Sequence, residues 1–247
     1  MNENKNRTIG NIIIALIVMG GLIAASLIAV NGVVKLKSSE TSIVVTGSAK
    51  QQITSDLIVW TGYFHSQSKL LQDTYTELEI SREKVKNYLV DKGIGEDEIV
   101  FSSITTNVIY VYNEYGVYTN VVDYYDLSQT VTIRSGDVDK VTELSRSATE
   151  LLNDGVQFQS YEPQYHYTKL ADLKVEMLAA ATKDATRRAQ MMAENAGSKL
   201  GQLTYADMGV MQITPLYSNE ISDYGINDTT SLEKEITAVV HCTFIIE

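Results

Sequence analysis

The feature that most constrains this chain is an uncharged apolar run near its N-terminus. Residues 12–30 read Ile-Ile-Ile-Ala-Leu-Ile-Val-Met-Gly-Gly-Leu-Ile-Ala-Ala-Ser-Leu-Ile-Ala-Val, and Ser26 is the one polar side chain among them. At ~1.5 Å per residue, a helix of that length covers roughly 28 Å, close to the ~30 Å of bilayer hydrocarbon. Two readings compete, a transmembrane anchor and a cleaved signal peptide. Signal cores run roughly 7–15 residues and end in a small-x-small cleavage site. Ala24-Ala25-Ser26 and Ala29-Val30-Asn31 are poor versions of that site. The expectation is therefore a tail at 1–11, a single-pass anchor at 12–34 and a domain at 41–247. Lys5 and Arg7 flank the run on one side and Lys35 and Lys37 on the other. The positive-inside contrast is thus small, and placing the C-terminal domain outside the cytoplasm rests mainly on the single anchor.

Charge and cysteine content narrow the rest. The chain has 247 residues and a formal charge of −11. Residues 1–37 carry Lys5, Arg7, Lys35 and Lys37 against Glu3, a net +3, which leaves −14 to the remainder. An acidic domain argues against nucleic acid as a partner and leaves cationic ligands open. The single cysteine, Cys242, cannot close an intramolecular disulfide, and a domain of this size needs none. Two prolines, Pro163 and Pro215, and no Ser/Gly-rich linker suggest one domain beyond the apolar run.

Periodicity predicts an α+β fold in the order ββαββαβαββ, with mixed and antiparallel sheets packed against helices. Strands are expected at 42–49, broken at Gly47, and at 53–65. A helix over 69–92 follows, with Leu71, Tyr75, Leu78, Arg82, Val85 and Leu89 on one face, Ser68 as N-cap and Gly93 after its end. Strands near 99–112 and 121–134 form a hairpin around Asn113-Glu114-Tyr115-Gly116. Asp137 caps a helix to 152, and a short strand lies near 156–161. The strongest helix spans 168–196. Leu170, Leu173, Met177, Ala181, Ala185, Ala189, Met192 and Ala196 form its stripe, and the small residues mark a helix lying close across a sheet. A strand near 202–210, a polar flexible loop at 212–235 and a last strand at 236–246 complete the chain.

The sequence resembles the SIMPL-domain family, which includes the bacterial periplasmic immunogenic proteins. The likeness is carried first by Val44-Val45-Thr46-Gly47-Ser48-Ala49. Next come Lys92-Gly93-Ile94, then Ile104-Thr105-Thr106 ahead of an aromatic hairpin. The most specific part is Ala179-Ala180-Ala181-Thr182-Lys183-Asp184-Ala185-Thr186-Arg187-Arg188-Ala189, continuing through Ala193-Glu194-Asn195-Ala196-Gly197-Ser198-Lys199-Leu200-Gly201. Last is Ile236-Thr237-Ala238-Val239-Val240-His241-Cys242-Thr243-Phe244. This chain has Ala49 where members usually show a second glycine, and Asp123-Tyr124 where a Gly-Tyr pair is common. Many members are exported with a cleaved signal. The resemblance implies an α+β fold and, for some members, ring- or cage-like homo-oligomers. It implies no agreed activity and supplies no catalytic residues.

Nothing in the sequence assembles into a reactive centre. His65, His166 and His241 lack the paired spacing of a zinc site, so no metal and no cofactor is expected. Cys242 falls in the apolar phase of its strand, with His241 on the opposite face. No Gly-x-Ser-x-Gly elbow is present. Lys183, Arg187 and Arg188 read as a solvated helix face. Glu220, Asp223, Asp228, Glu233 and Glu235 lie in the polar loop without the spacing of a calcium loop. The candidate interface is the cluster Tyr110, Tyr112, Tyr115, Tyr118, Tyr124 and Tyr125, since tyrosine favours both exposed strands and protein contacts. The expectation is a non-enzymatic cell-envelope protein, held in the membrane and self-assembling through this hairpin. The alternative is a binding or signalling module for another envelope protein or a cationic ligand.

Overall fold

The computed structural model describes residue 17, residues 19–30 and residues 41–247. The expected tail at 1–11 lies outside the described residues, as do parts of the expected anchor at 12–34. Residues 19–30 are helical and their side chains are exposed. Among the described residues, no helix is long and apolar enough to cross a membrane.

Within the described residues the chain falls into two compact units. One contains the chain up to Val45 with Arg187–Ala206 and Cys242–Glu247; the other contains Thr46–Thr186 and Asp207–His241. The elements, in order, are β1 (Ser42–Thr54), β2 (Leu57–Ser68), α1 (Leu71–Asp91), β3 (Ile99–Phe101), β4 (Thr105–Tyr112), β5 (Tyr118–Ser135) and α2 (Val138–Ser147). They continue as β6 (Gln157–Ser160), β7 (Gln164–His166), α3 (Leu170–Asn195), β8 (Leu200–Met208), β9 (Gln212–Pro215), β10 (Ile226–Asn227) and β11 (Glu233–Ile246). One sheet has the order β3-β5-β2-β6, with β4 beside β5 and β7 beside β2. The other runs β1-β11-β9-β10, with β8 beside β11. The α+β class is as the periodicity predicts.

In the larger unit, the main core lies between the first sheet and helices α1 and α2. Ile58, Trp60 and Phe64 alternate along β2 and are fully buried against Leu78, Val85 and Leu89 of α1 and Val141 and Leu144 of α2. That alternation is the period-two pattern of a sheet with one buried face. Gly62 completes the series, because a Cβ there would overlap the Phe158 ring. The Trp60 indole N–H is satisfied by the Ser160 hydroxyl at 3.0 Å, so the ring is buried without an orphaned donor.

Several boundaries differ from expectation, each for a local reason. β1 is continuous through Gly47. β2 runs on to Ser68, whose backbone pairs with Tyr125, so Ser68 cannot cap α1, and Leu70 precedes the helix without a side-chain cap. Leu71 and Tyr75 are exposed, while Thr74 and Ser81 turn inward. The Thr74 hydroxyl donates to the Leu70 carbonyl at 2.8 Å, which satisfies it and frees its methyl for the core. The expected strand over 99–112 is split into β3 and β4. At the break the Gln129 amide donates to the Ser102 carbonyl at 2.6 Å and the Ser102 hydroxyl accepts from the Thr130 N–H at 3.1 Å. α2 tightens into a 3-10 turn over Ala148–Leu152. β7, β9 and β10 are short strands that the sequence pattern does not separate from loop.

Other signals hold. The Asp137 carboxylate accepts from the Lys140 N–H at 3.3 Å, and Gly93 and Gly197 take positive φ after α1 and α3. In α3 the buried residues are Leu173, Met177, Ala181, Ala185, Ala189 and Ala193, whereas Met192 is 53% exposed. Steps of four overshoot a 3.6-residue turn, so the contact line winds about the helix. In the smaller unit, Lys199 and Glu247 exchange backbone hydrogen bonds of 2.7 and 2.9 Å.

Candidate functional site

The six tyrosines lie on the β4–β5 hairpin, as the sequence places them. The ladder pairs Val108 with Tyr125, Ile109 with Tyr124, Tyr110 with Val122 and Tyr112 with Tyr118, with register shifts on either side of Tyr110. The connecting turn is built by Asn113. Its carboxamide oxygen accepts from the Tyr115 and Val117 N–H groups at 3.0 and 2.9 Å, and Gly116 supplies the positive φ. Side chains alternate along a strand, so Tyr110 and Tyr112 share one face of β4 and Val111 occupies the other. All three are exposed, as are Val117 and Val121. The tip of the arm therefore shows apolar side chains on both faces. Tyr115 is 87% and Tyr118 64% exposed, while Tyr124 and Tyr125 are half-buried, Tyr125 against the core. The Tyr112 and Tyr118 rings meet at 4.4 Å, and the hydrogen bond between their hydroxyls pushes the Tyr112 phenol above its ordinary value. Among the described residues the outer edge of β4 pairs with no strand.

The remaining candidates scatter. His65 on β2 meets Asp126 at 3.0 Å and stacks on Tyr63; His241 on β11 meets the Thr46 hydroxyl at 3.0 Å; His166 lies on β7. Among the described residues no three His, Cys, Asp or Glu side chains converge in a way that could hold a metal. Cys242 is buried, and burial pushes its thiol up and away from the reactive thiolate. Lys183, Arg187 and Arg188 are exposed, as a solvated face requires. Asp184 accepts the Ser48 N–H at 3.0 Å and ties α3 to β1.

The polar stretch at 212–235 is more ordered than expected. It holds β9, β10 and the start of β11. It also contains a feature that pattern reading misses. Lys234 is 2% exposed and donates to the Tyr165 carbonyl at 2.6 Å and the Asp228 carbonyl at 2.5 Å. Burial lowers its pKa, with partial compensation from the Asp228 charge. Burial acts to raise the Asp228 carboxyl, but hydrogen bonds from the Thr230 amide and hydroxyl prevail and hold it low. The available sequence signal is that Lys234 falls in phase with Ile236, Ala238 and Val240 along β11.

Two clefts flank this region of the larger unit. One, of about 630 Å³, is lined mainly by apolar side chains of α3 and of residues 208–213 and 224–226. The other, of about 590 Å³, carries the charged side chains Lys50, Glu220, Asp223 and Glu235 together with His241, and Lys50 is paired to Glu235 at 2.6 Å.

An α+β domain with an exposed tyrosine-rich arm defines the class of protein. The chain belongs to the SIMPL family, described as proteins of unknown function (DUF541), whose pattern matches residues 43–244. No curated protein matches the chain.

Proposed function

We propose that this protein is a membrane-anchored component of the cell envelope whose SIMPL domain is a non-enzymatic scaffold that associates with copies of itself. The observation that carries this reading is the β4–β5 arm. An isolated two-stranded ribbon with apolar side chains on both faces leaves area that only another molecule can cover. The free edge of β4 adds unpaired backbone groups that favour strand-to-strand association. Tyr112, Tyr115 and Tyr118 supply amphipathic anchors of the kind that dominate interfaces.

A stable contact commonly buries ~800 Å² per partner. Replacing Tyr112, Tyr115 and Tyr118 together with Ser is expected to dissociate the assembly into monomers that keep their fold, read as an unchanged far-UV circular dichroism spectrum, because none of the three is buried. Sedimentation of the detergent-solubilised chain, and of residues 38–247 at several concentrations, checks this. A wild-type domain that stays monomeric at every concentration would favour the second reading, a module that recognises another envelope protein or a cationic ligand. The cleft bearing Glu220, Asp223 and Glu235 is the observation on that side.

Support for the anchor comes from the uncharged run 12–30 and its match to bilayer thickness. The intact chain is expected to remain in the membrane fraction after an alkaline carbonate wash. A mature protein beginning near Asn31 or Gly32 would overturn the anchor.

A further inference from the structure

The apolar cleft is independent of the hairpin and has its own chemistry. Leu170, Val175 and Leu178 of α3 face Met211, Ile213 and Ile226 across it. The far wall is held in place by backbone pairing, since β10 runs parallel to β9 with Ile226 opposite Gln212 and Asn227 opposite Ile213. Gly225 shapes the rim: its φ is +84°, and a Cβ there would press to 2.6 Å from the Val210 side chain. Lys174 is the one charged residue among the described residues lining the cleft. Exposed on α3, it gives the cleft a local partner for an anion although the chain as a whole carries a net charge of −11.

The dimensions select further. Volumes of ~300–1,000 Å³ are usual for small-ligand sites. The 630 Å³ groove, open to solvent along one side, has room for an extended acyl chain. Apolar walls, room for an acyl chain and one cation match a single-chain anionic amphiphile. We propose that this cleft binds a free long-chain carboxylate, its hydrocarbon chain between α3 and β9–β10 and its carboxylate against Lys174. Two methionines, Met208 and Met211, suit chains of varied length because their side chains are unbranched and adaptable.

The test uses the full-length chain in phospholipid nanodiscs and a diazirine-bearing hexadecanoic acid, compared with the corresponding alcohol. After photolysis, labelled peptides are mapped by mass spectrometry. The acid is expected to label segments 170–178 and 208–213, and excess hexadecanoate should abolish that labelling. Lys174→Glu should lower labelling by the acid roughly fivefold and leave labelling by the alcohol unchanged. Val175→Trp, at a position 69% exposed, should block both probes without disturbing the fold, as an unchanged melting temperature would verify. Labelling confined to residues 12–30, equal labelling by acid and alcohol, or insensitivity to Lys174→Glu would each overturn the proposal. So would labelling that disappears as protein concentration rises, which would assign the cleft to a second copy of the chain.

Discussion

Gly47→Ala is expected to destabilise the protein by about 3 kcal/mol, the upper end of overpacking costs. A Cβ at residue 47 would overlap the Ala181 carbonyl oxygen and lie 2.5 Å from the Ala185 nitrogen and 2.7 Å from the Ala185 Cβ. Two of those neighbours are backbone atoms of α3, which cannot swing aside as a side chain can. The helix would have to lift off β1 or the strand would have to bend. Either movement opens the packing around Ala181 and Ala185, both fully buried. For a domain of about 200 residues, 3 kcal/mol corresponds to a fall of roughly 6–12 °C in Tm. Ser48→Ala is the internal control. Ser48 is exposed and engages Asp184 through its backbone N–H, which alanine retains, so it should change stability by less than ~0.5 kcal/mol. If the two variants melt within 2 °C of each other, α3 does not approach β1 at Gly47.

This contact shows where sequence reading succeeds and where it stops. The alanine stripe of α3 is a local signal, because spacing on one helix decides which side chains share a face. Asp137, Gly93, Gly197 and the Asn113–Gly116 turn are legible for the same reason: each acts on backbone within a few residues of itself. Gly47 is different. Read locally, a glycine inside a strand marks a bulge or an end. Its actual role is set by a helix more than 130 positions away in the chain, and β1 continues through it. The same limit explains α1. Leu71 and Tyr75 are the apolar residues in phase with the stripe, yet Thr74 and Ser81, in phase as well, are the pair that is buried; a bond back to the Leu70 carbonyl makes Thr74 compatible with a core. β9 and β10 are too short to show a period, and pairing with β11 and with each other creates them. Of the candidate interface, the turn and the exposure of Tyr112, Tyr115 and Tyr118 follow from the sequence. The half-burial of Tyr124 and Tyr125 depends on how far the core extends along β5.

Lys234→Met is expected to cost a similar amount, about 3 kcal/mol, for the opposite reason: it removes a polar group instead of adding bulk. The methionine fills comparable space but leaves the Tyr165 and Asp228 carbonyls without their donor. Each buried acceptor so orphaned costs ~1–3 kcal/mol. Relief of the ammonium's desolvation offsets part of that loss. The two carbonyls belong to β7 and to the segment just after β10, so one side chain joins three stretches of the larger unit. A pH series distinguishes this role from simple packing. Burial places the folded-state pKa of Lys234 below its unfolded value, so between the two the unfolded chain binds more protons. The contribution of Lys234 to stability should therefore rise as pH increases from its folded pKa toward 10.5, and should be lost as pH falls back through that folded pKa. Subtracting the melting profile of Lys234→Met from that of the wild type cancels the other titrating groups. The stability gap between the two is expected to widen on the alkaline side. A gap that stays constant up to pH 10.5 would mean that Lys234 is as well solvated in the folded protein as in the unfolded chain.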